Sequence, residues 1–204
     1  MGHEKLILWG NSYGATLAAI YASRYPDRVA ALIFTSPGAF PGTKPKRNYK
    51  VTARGKIKPS NSAKKALKII DKIDPDDEEK LNQTEAGLIF DELLNSGMMG
   101  GMICKTSDFQ TKKLPGGGNF YANRRIPQTL KVLVLDRNNL PKIPTITLRG
   151  ACDFHHKDNA QTYVDAFGGS LVEIEANGHG LMENRQPIER ALRDFGESIH
   201  DQVE

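Results

Sequence analysis

The sequence lacks any long apolar run and has little cysteine. Its longest apolar stretches, residues 6–9 and 29–34, fall far short of the roughly 20 residues that span a bilayer, and no apolar signal segment follows Met1. Two cysteines, Cys104 and Cys152, are too few for a disulfide framework and are not spaced like metal ligands. The expectation is therefore a soluble protein of a reducing cytoplasm, without membrane contact.

The composition also excludes disordered and fibrous classes. Of 204 residues, 39% are apolar and 25% charged, which suits one domain or a core with one large insertion. The net charge of +4 is unevenly spread: residues 43–70 hold ten Lys and Arg and no acid, whereas residues 71–92 hold nine acids. Because Tyr49 is the one aromatic residue in the basic stretch and no recognition motif accompanies it, we interpret it as solvated surface, not as a nucleic-acid site.

The first 38 residues have the pattern of a βαβ unit. The apolar run 6–9 ends at Gly10 and predicts a strand buried on both faces, and residues 15–25 predict a helix that Pro26 stops. Residues 29–34 predict a second buried strand. Strand, helix and strand in this order imply parallel pairing with a right-handed crossover.

The same rhythm returns after an interruption. Residues 39–141, with helical patterns at 62–73 and 75–94, are interpreted as a largely helical insertion, and the core is assigned to residues 1–38 and 142–204. In the second part, residues 145–148 and 171–174 predict strands around a helix at 157–167. A last amphipathic helix has Pro187 in its first turn and one apolar stripe, Ile188, Ala191, Leu192, Phe195 and Ile199.

A G-x-S-x-G pattern, Gly10 to Gly14, lies between the first predicted strand and helix. This context is typical of a nucleophilic serine on a sharp turn, where the two glycines leave room for neighbouring backbone. Ser12 would stand clear of the sheet, and the backbone N–H of Tyr13 would face a developing oxyanion beside a helix N-terminus.

A serine nucleophile requires a base, and the base requires an orienting acid. His179 follows the predicted strand 171–174 directly, whereas His155 and His156 lie at a strand-to-helix turn and suit polar capping. The favoured acid is Asp153, just after the strand before the histidine; Asp136, at the end of the apolar run 132–135, is the alternative. Cys152 is interpreted as a small buried residue, not as a nucleophile. The order Ser12, Asp153, His179 is that of the α/β-hydrolases.

With these residues in place the sequence resembles an α/β-hydrolase, specifically the serine aminopeptidase-like group that includes proline iminopeptidases. The stretches that carry the resemblance are KLILWGNSYGATLAAIYASRYPDRVAALIFTSPG, IPTITLRGACDF and IEANGHGLMENRQP. The resemblance implies a mostly parallel sheet, strands 5 to 8 of the family fold, with an inserted helical cap. It also implies that cap acids can hold a substrate's amino terminus; the candidates are Asp74, Asp76, Asp77, Glu78, Glu79, Asp91 and Glu92.

The sequence departs from the family at its front. The resemblance implies four earlier strands and a loop supplying a second oxyanion N–H, and neither is found in the sequence before residue 6. Met1 is therefore expected to be an internal methionine of a longer or split hydrolase. The strand at 6–9 would then be a hydrophobic edge, open to a second copy or to a partner chain.

These observations together predict a serine hydrolase that transfers an acyl group to water. Ser12 is expected to attack, His179 to carry the proton and Asp153 to fix the imidazole, with no cofactor or metal. The resemblance implies short peptides or amino-acid amides as substrates. Carboxylic esters are the alternative substrate class, and a non-catalytic fragment is the competing interpretation.

Overall fold

The structure is a computed structural model. It describes residues 5–53, 61–70, 83–93, 99–108 and 140–203, with isolated positions at 72, 125–126, 132–133 and 135. The described helices are α1 (Tyr13–Arg24), α2 (Asn61–Ile70), α3 (Gln83–Leu93), α4 (Lys157–Phe167) and α5 (Gln186–Val203). The described strands are β1 (Leu6–Asn11), β2 (Val29–Thr35), β3 (Thr145–Gly150) and β4 (Ser170–Ile174).

The four strands form one parallel sheet in the order β1-β2-β3-β4. Leu8 pairs with Leu32, Thr35 with Leu148, and Gly150 with Ile174. Because all strands run the same way, their carboxyl ends share one edge of the sheet, and residues following them are brought together there. The predicted α/β class with a parallel sheet is confirmed.

Two helices pack on the sheet as crossovers, as the βαβ patterns predict. Helix α1 connects β1 to β2 and buries a face of small residues, Ala15, Ala18, Ala19 and Ala22, which lets the helix lie close to the strands. Helix α4 connects β3 to β4 and buries Tyr163 and Phe167.

The main core lies between these helices and the sheet. Phe34 packs against Tyr163 and Phe167 with ring centroids 4.9 and 5.6 Å apart, and Phe40 joins the cluster from beyond β2. A second cluster brings Leu148 and Ile174 against Leu181 and Ile188 at the start of α5. Burying side chains of this size contributes about 1.5 to 3 kcal/mol each, so both cores stabilise the sheet edge where β2, β3 and β4 end.

Strand β1 is an edge strand, so the prediction that its run is buried on both faces is wrong. Leu6, Ile7 and Trp9 are 40%, 50% and 60% exposed. The Trp9 indole N–H donates to Thr35 Oγ1 (3.1 Å), which fixes the ring over the end of β2. Among the described residues, only β2 pairs with β1. The expected exposed hydrophobic edge is thus present.

The predicted helices at 62–73 and 75–94 correspond to described helices at 61–70 and 83–93, whereas Lys72 lies in a turn. Helix α2 packs against α3, and Ser62 Oγ donates to Glu92 Oε1 (3.3 Å). Positions 132, 133 and 135 of the apolar run 132–135 are not in a strand. The division into a core and a cap stays a prediction. In the described residues no helix is both long and apolar enough to cross a membrane.

Candidate active site

Ser12 occupies a sharp turn between β1 and α1. Its backbone has φ 52° and ψ −114°, a left-handed conformation that a side chain rarely adopts. Its N–H donates to the Thr35 carbonyl (2.9 Å), and its own carbonyl accepts from the N–H of Ala15 (3.1 Å). These bonds to β2 and to the first helical turn stabilise the strained conformation.

The two glycines of the pattern have different environments. A Cβ on Gly10 would lie 2.3 Å from the Gly14 carbonyl oxygen, so the helix can approach the strand only because position 10 has no side chain. A Cβ on Gly14 would meet no described atom within 4 Å other than those of its chain neighbours and its own helix backbone. The prediction that glycine makes room for backbone is therefore confirmed for Gly10 and wrong, in the described part of the chain, for Gly14.

The structure brings Ser12, His179 and Asp153 together from three different strand ends. His179 Nε2 lies 2.8 Å from Ser12 Oγ, and His179 Nδ1 lies 2.9 Å from Asp153 Oδ1. Asp153 is 2% exposed and His179 4%. The alternative acid, Asp136, lies outside the described residues.

One imidazole tautomer satisfies both contacts of His179. With the proton on Nδ1, the ring donates to the Asp153 carboxylate and leaves the Nε2 lone pair to accept from the Ser12 hydroxyl. Asp153 Oδ1 also accepts from the backbone N–H of His155 (2.8 Å), which fixes the carboxylate independently of the ring. An arrangement of this kind can withdraw a proton from the serine as it attacks a carbonyl group.

Tyr13 is the first residue of α1, so its N–H has no acceptor within the helix. A helix N-terminus carries about half a positive charge, which favours an anion beside it. The position is thus suitable for an oxyanion at Ser12. That this N–H is an oxyanion donor remains a prediction.

An aromatic group packs beside the imidazole of His179. The Phe154 ring lies 4.5 Å from that of His179 and stacks on Tyr49 at 5.4 Å with an interplanar angle of 4°. His155 lies 5.2 Å from His179. Burial, together with the nearby His179, lowers the pKa of His155 to about 4, so this second imidazole is neutral near pH 7. His156 caps α4 by accepting from the Asp158 N–H, as polar capping predicts.

Cys104 and Cys152 form a disulfide, a pairing that the local sequence pattern does not predict. It joins the segment after residue 99 to the residue preceding Asp153. Cys152 is half-buried and bonded, so its interpretation as a small buried residue is wrong. Disulfides are rare in a reducing cytoplasm, and the cytoplasmic location stays a prediction that this bond does not favour.

Most of the proposed cap acids lie outside the described residues, namely Asp74, Asp76, Asp77, Glu78 and Glu79. Asp91 is buried, at 8% exposed, and Glu92 accepts from Ser62. Neither the burial of Asp91 nor the contact of Glu92 tests a role in binding an amino terminus.

Sequence reasoning missed Phe154, which packs against the histidine, and Asn177 and Glu183, which belong to the loop that carries it. Asn177 is fully buried, and Glu183 accepts from the Gly178 N–H (2.7 Å). The only available signal was proximity in sequence to Asp153 and His179, which does not distinguish a supporting residue from a neighbour.

The comparisons with known proteins agree with this architecture. Residues 1–84, less than half of the chain, match the model of the alpha/beta hydrolase fold family. Among curated proteins no sequence matches the chain significantly.

Solved α/β hydrolases share the fold at low sequence identity. An alpha/beta superfamily hydrolase from Oenococcus oeni PSU-1 has a TM-score of 0.53 at 16% identity, over 98% of this chain and 69% of that one. The meta-cleavage product hydrolase CumD from Pseudomonas fluorescens IP01 has a TM-score of 0.50 at 16% identity, over 96% and 66%. The serine hydrolase CarC, involved in carbazole degradation, has a TM-score of 0.51 at 13% identity, over 96% and 64%. The chain thus spans less than two thirds of the length of the last two structures, and the likeness establishes an α/β-hydrolase fold.

Proposed function

We propose that this chain, which has an α/β-hydrolase fold, is a serine hydrolase in which Ser12, His179 and Asp153 are the catalytic residues. The observation that carries the proposal is the pair of hydrogen bonds from Asp153 through His179 to Ser12, at 2.9 and 2.8 Å. The low exposure of Asp153 and His179 supports it, because water competes little for these bonds.

The proposed reaction is acyl transfer in two steps. Ser12 Oγ attacks the substrate carbonyl carbon while its proton passes to His179 Nε2, and the carbonyl oxygen becomes an oxyanion facing the Tyr13 N–H. The intermediate collapses to an acyl-enzyme, and the leaving group departs with the proton from His179. A water molecule then gives a proton to His179 and attacks the acyl carbon. His179 returns that proton to Ser12 Oγ as the bond to the acyl carbon breaks, which releases the acid and the free serine.

We further propose short peptides or amino-acid amides with a free amino terminus as substrates, with carboxylic esters as the alternative. The resemblance to serine aminopeptidases supports the first choice. In the described residues, Asp91 on α3 is a buried acid of the predicted cap, the kind of group that the resemblance assigns to binding an amino terminus.

Covalent labelling tests the proposed chemistry. The full chain, incubated with a fluorophosphonate and mapped by tandem mass spectrometry, is expected to carry an adduct on Ser12, because only an activated serine attacks the probe readily. The chain's other serines, including exposed Ser198, are internal controls. An unlabelled chain, or equal labelling of other serines, would contradict the proposal.

Substrate choice is tested on the same preparation. Amino-acid p-nitroanilides are expected to be cleaved faster than their N-acetylated counterparts, since acetylation removes the positive charge. Cleavage of p-nitrophenyl esters alone would leave the ester hydrolase as the supported alternative.

A second proposal concerns the exposed edge of β1. The family resemblance implies further strands at this edge, and we propose that a second copy of the chain covers it by antiparallel pairing across a two-fold axis. The strand carries no charged residue or proline from Leu6 to Asn11, so nothing in it opposes pairing with its own copy. This edge also supports the competing interpretation of a non-catalytic, strand-pairing fragment.

Placing a charge on the edge is expected to separate the two copies. Ile7→Lys introduces like charges on paired strands at a position already 50% exposed, so the monomer fold tolerates it. Light scattering after size exclusion should give a dimer for the unmodified chain and a monomer for the variant. Leu17→Lys, at a 49% exposed position on α1, should stay dimeric. A monomeric unmodified chain at all concentrations would contradict the pairing.

A further inference from the structure

The loop that carries His179, residues 175–184, contains two strained positions. Ala176 and Leu181 have φ values of 54° and 50°, in the left-handed region that favours glycine. Non-glycine residues persist there only where their surroundings hold the backbone firmly. The contacts that hold this loop therefore also determine where His179 lies.

Asn177 holds the loop from within. Its Oδ1 accepts from the N–H groups of Glu183 and Asn184, both at 3.1 Å, and its Nδ2 donates to the Asn184 carbonyl (3.0 Å). These bonds close the loop on itself. They connect its two ends but do not attach it to the rest of the site.

The Glu183 carboxylate attaches the loop to a different segment. One oxygen accepts from the N–H of Gly178, directly before His179, and the other accepts from the N–H of Cys104, both at 2.7 Å. Hydrogen bonds to an ionised acceptor are roughly twice as strong as neutral ones. A single side chain thus holds the histidine loop against the segment that contains Cys104.

The two backbones meet closely at this point. A Cβ on Gly178 would lie 2.0 Å from the Met102 carbonyl oxygen, so the contact exists only because position 178 is glycine. Cys104 is disulfide-bonded to Cys152, next to Asp153, and the Cys152 N–H donates to the Asn177 carbonyl (2.9 Å). The segments that carry the acid and the base are therefore connected in two ways, through Cys104 and directly from Cys152 to Asn177.

We propose that Glu183 and the Cys104–Cys152 disulfide act together as a positioning device that aligns His179 between Asp153 and Ser12. The inference rests on the proposed serine hydrolase function and assigns that site two supporting groups. Neither group touches the reacting atoms. An amide at position 183 would keep one acceptor oxygen and turn N–H groups toward a backbone N–H, which removes one of the two attachments.

Glu183→Gln tests the device, with Glu189→Gln, an exposed residue on α5, as the matched control. The rate of fluorophosphonate labelling is expected to fall roughly 10- to 100-fold in Glu183→Gln, since small misplacements of reacting groups have effects of this size. The midpoint of the pH–rate profile should also move to lower pH as the imidazole loses its contact with Asp153. A purely structural role would lower the labelled fraction without moving that midpoint.

Reduction of the disulfide is the second measurement. Treating the unmodified chain with dithiothreitol should slow labelling and move the midpoint in the same direction. Reduced and oxidised Glu183→Gln should differ less, because the substitution and the reduction both weaken the attachment of the histidine loop to the segment that contains Cys104. Equal rates and midpoints for Glu183→Gln and Glu189→Gln would overturn the inference. If Glu183→Gln does not fold, an unchanged rate and midpoint on reduction would overturn it. Failure of the unmodified chain to label at Ser12 would instead overturn the proposed function.

Discussion

Replacing His179 by glutamine is expected to slow labelling of Ser12 by a fluorophosphonate, and hydrolysis of a p-nitrophenyl ester, by roughly 10⁴- to 10⁶-fold. Glutamine can still donate to Asp153, but it cannot accept and return the serine proton. Without a base, the hydroxyl is a weak nucleophile near neutral pH. The rate constants should be compared after circular dichroism shows that the variant is folded.

His200→Gln is the matched control, because the same chemical change occurs at an exposed position on α5. Its rates should stay within about two-fold of the unmodified chain, as surface substitutions far from a site change little. A loss of less than about ten-fold in folded His179→Gln would contradict its assignment as the base.

The second large effect concerns stability and separates the two glycines of the serine turn. Gly10→Ala is expected to lower the free energy of unfolding by roughly 2 to 4 kcal/mol, because the new Cβ would lie 2.3 Å from the Gly14 carbonyl oxygen and 2.6 Å from the Ala15 nitrogen. Both atoms belong to the backbone of α1 and cannot move without shifting the helix. Urea denaturation measures the change.

Gly14→Ala provides the comparison on the same helix. Outside its chain neighbours and its own helix backbone, no described atom lies within 4 Å of the added Cβ. Since alanine also favours a helix over glycine, the free energy of unfolding should stay unchanged or rise by up to about 1 kcal/mol. Equal destabilisation by the two substitutions would show that the close approach at Gly10 does not govern the turn.

The sequence predicts most of the sheet because its signals are local. The runs that become β2, β3 and β4 are short, apolar and bounded by turn residues, and the order of strands and helices requires parallel pairing. Parallel pairing also explains how residues far apart in sequence meet: Ser12, Asp153 and His179 each follow a strand end on one edge of the sheet.

Other features could not be predicted, since they depend on contacts between segments that no local pattern relates. The disulfide joins cysteines 48 positions apart, and nothing near Cys104 indicates that its segment reaches Cys152. The positioning role proposed for Glu183 could not be predicted for the same reason, because it depends on the distant N–H of Cys104. The local pattern of residues 6–9 also predicts burial where β1 is exposed, because an apolar run has the same composition at an edge as in the centre of a sheet.

The Trp9 indole has a consequence for spectroscopy. Trp9 is the single tryptophan of the chain, it is 60% exposed, and its N–H is bonded to Thr35 at the end of β2. Intrinsic tryptophan fluorescence of this protein therefore reports on one location, the outer edge of the sheet, two residues before the end of the strand that leads to Ser12. Emission wavelength and acrylamide quenching would follow the covering of that edge without any added label.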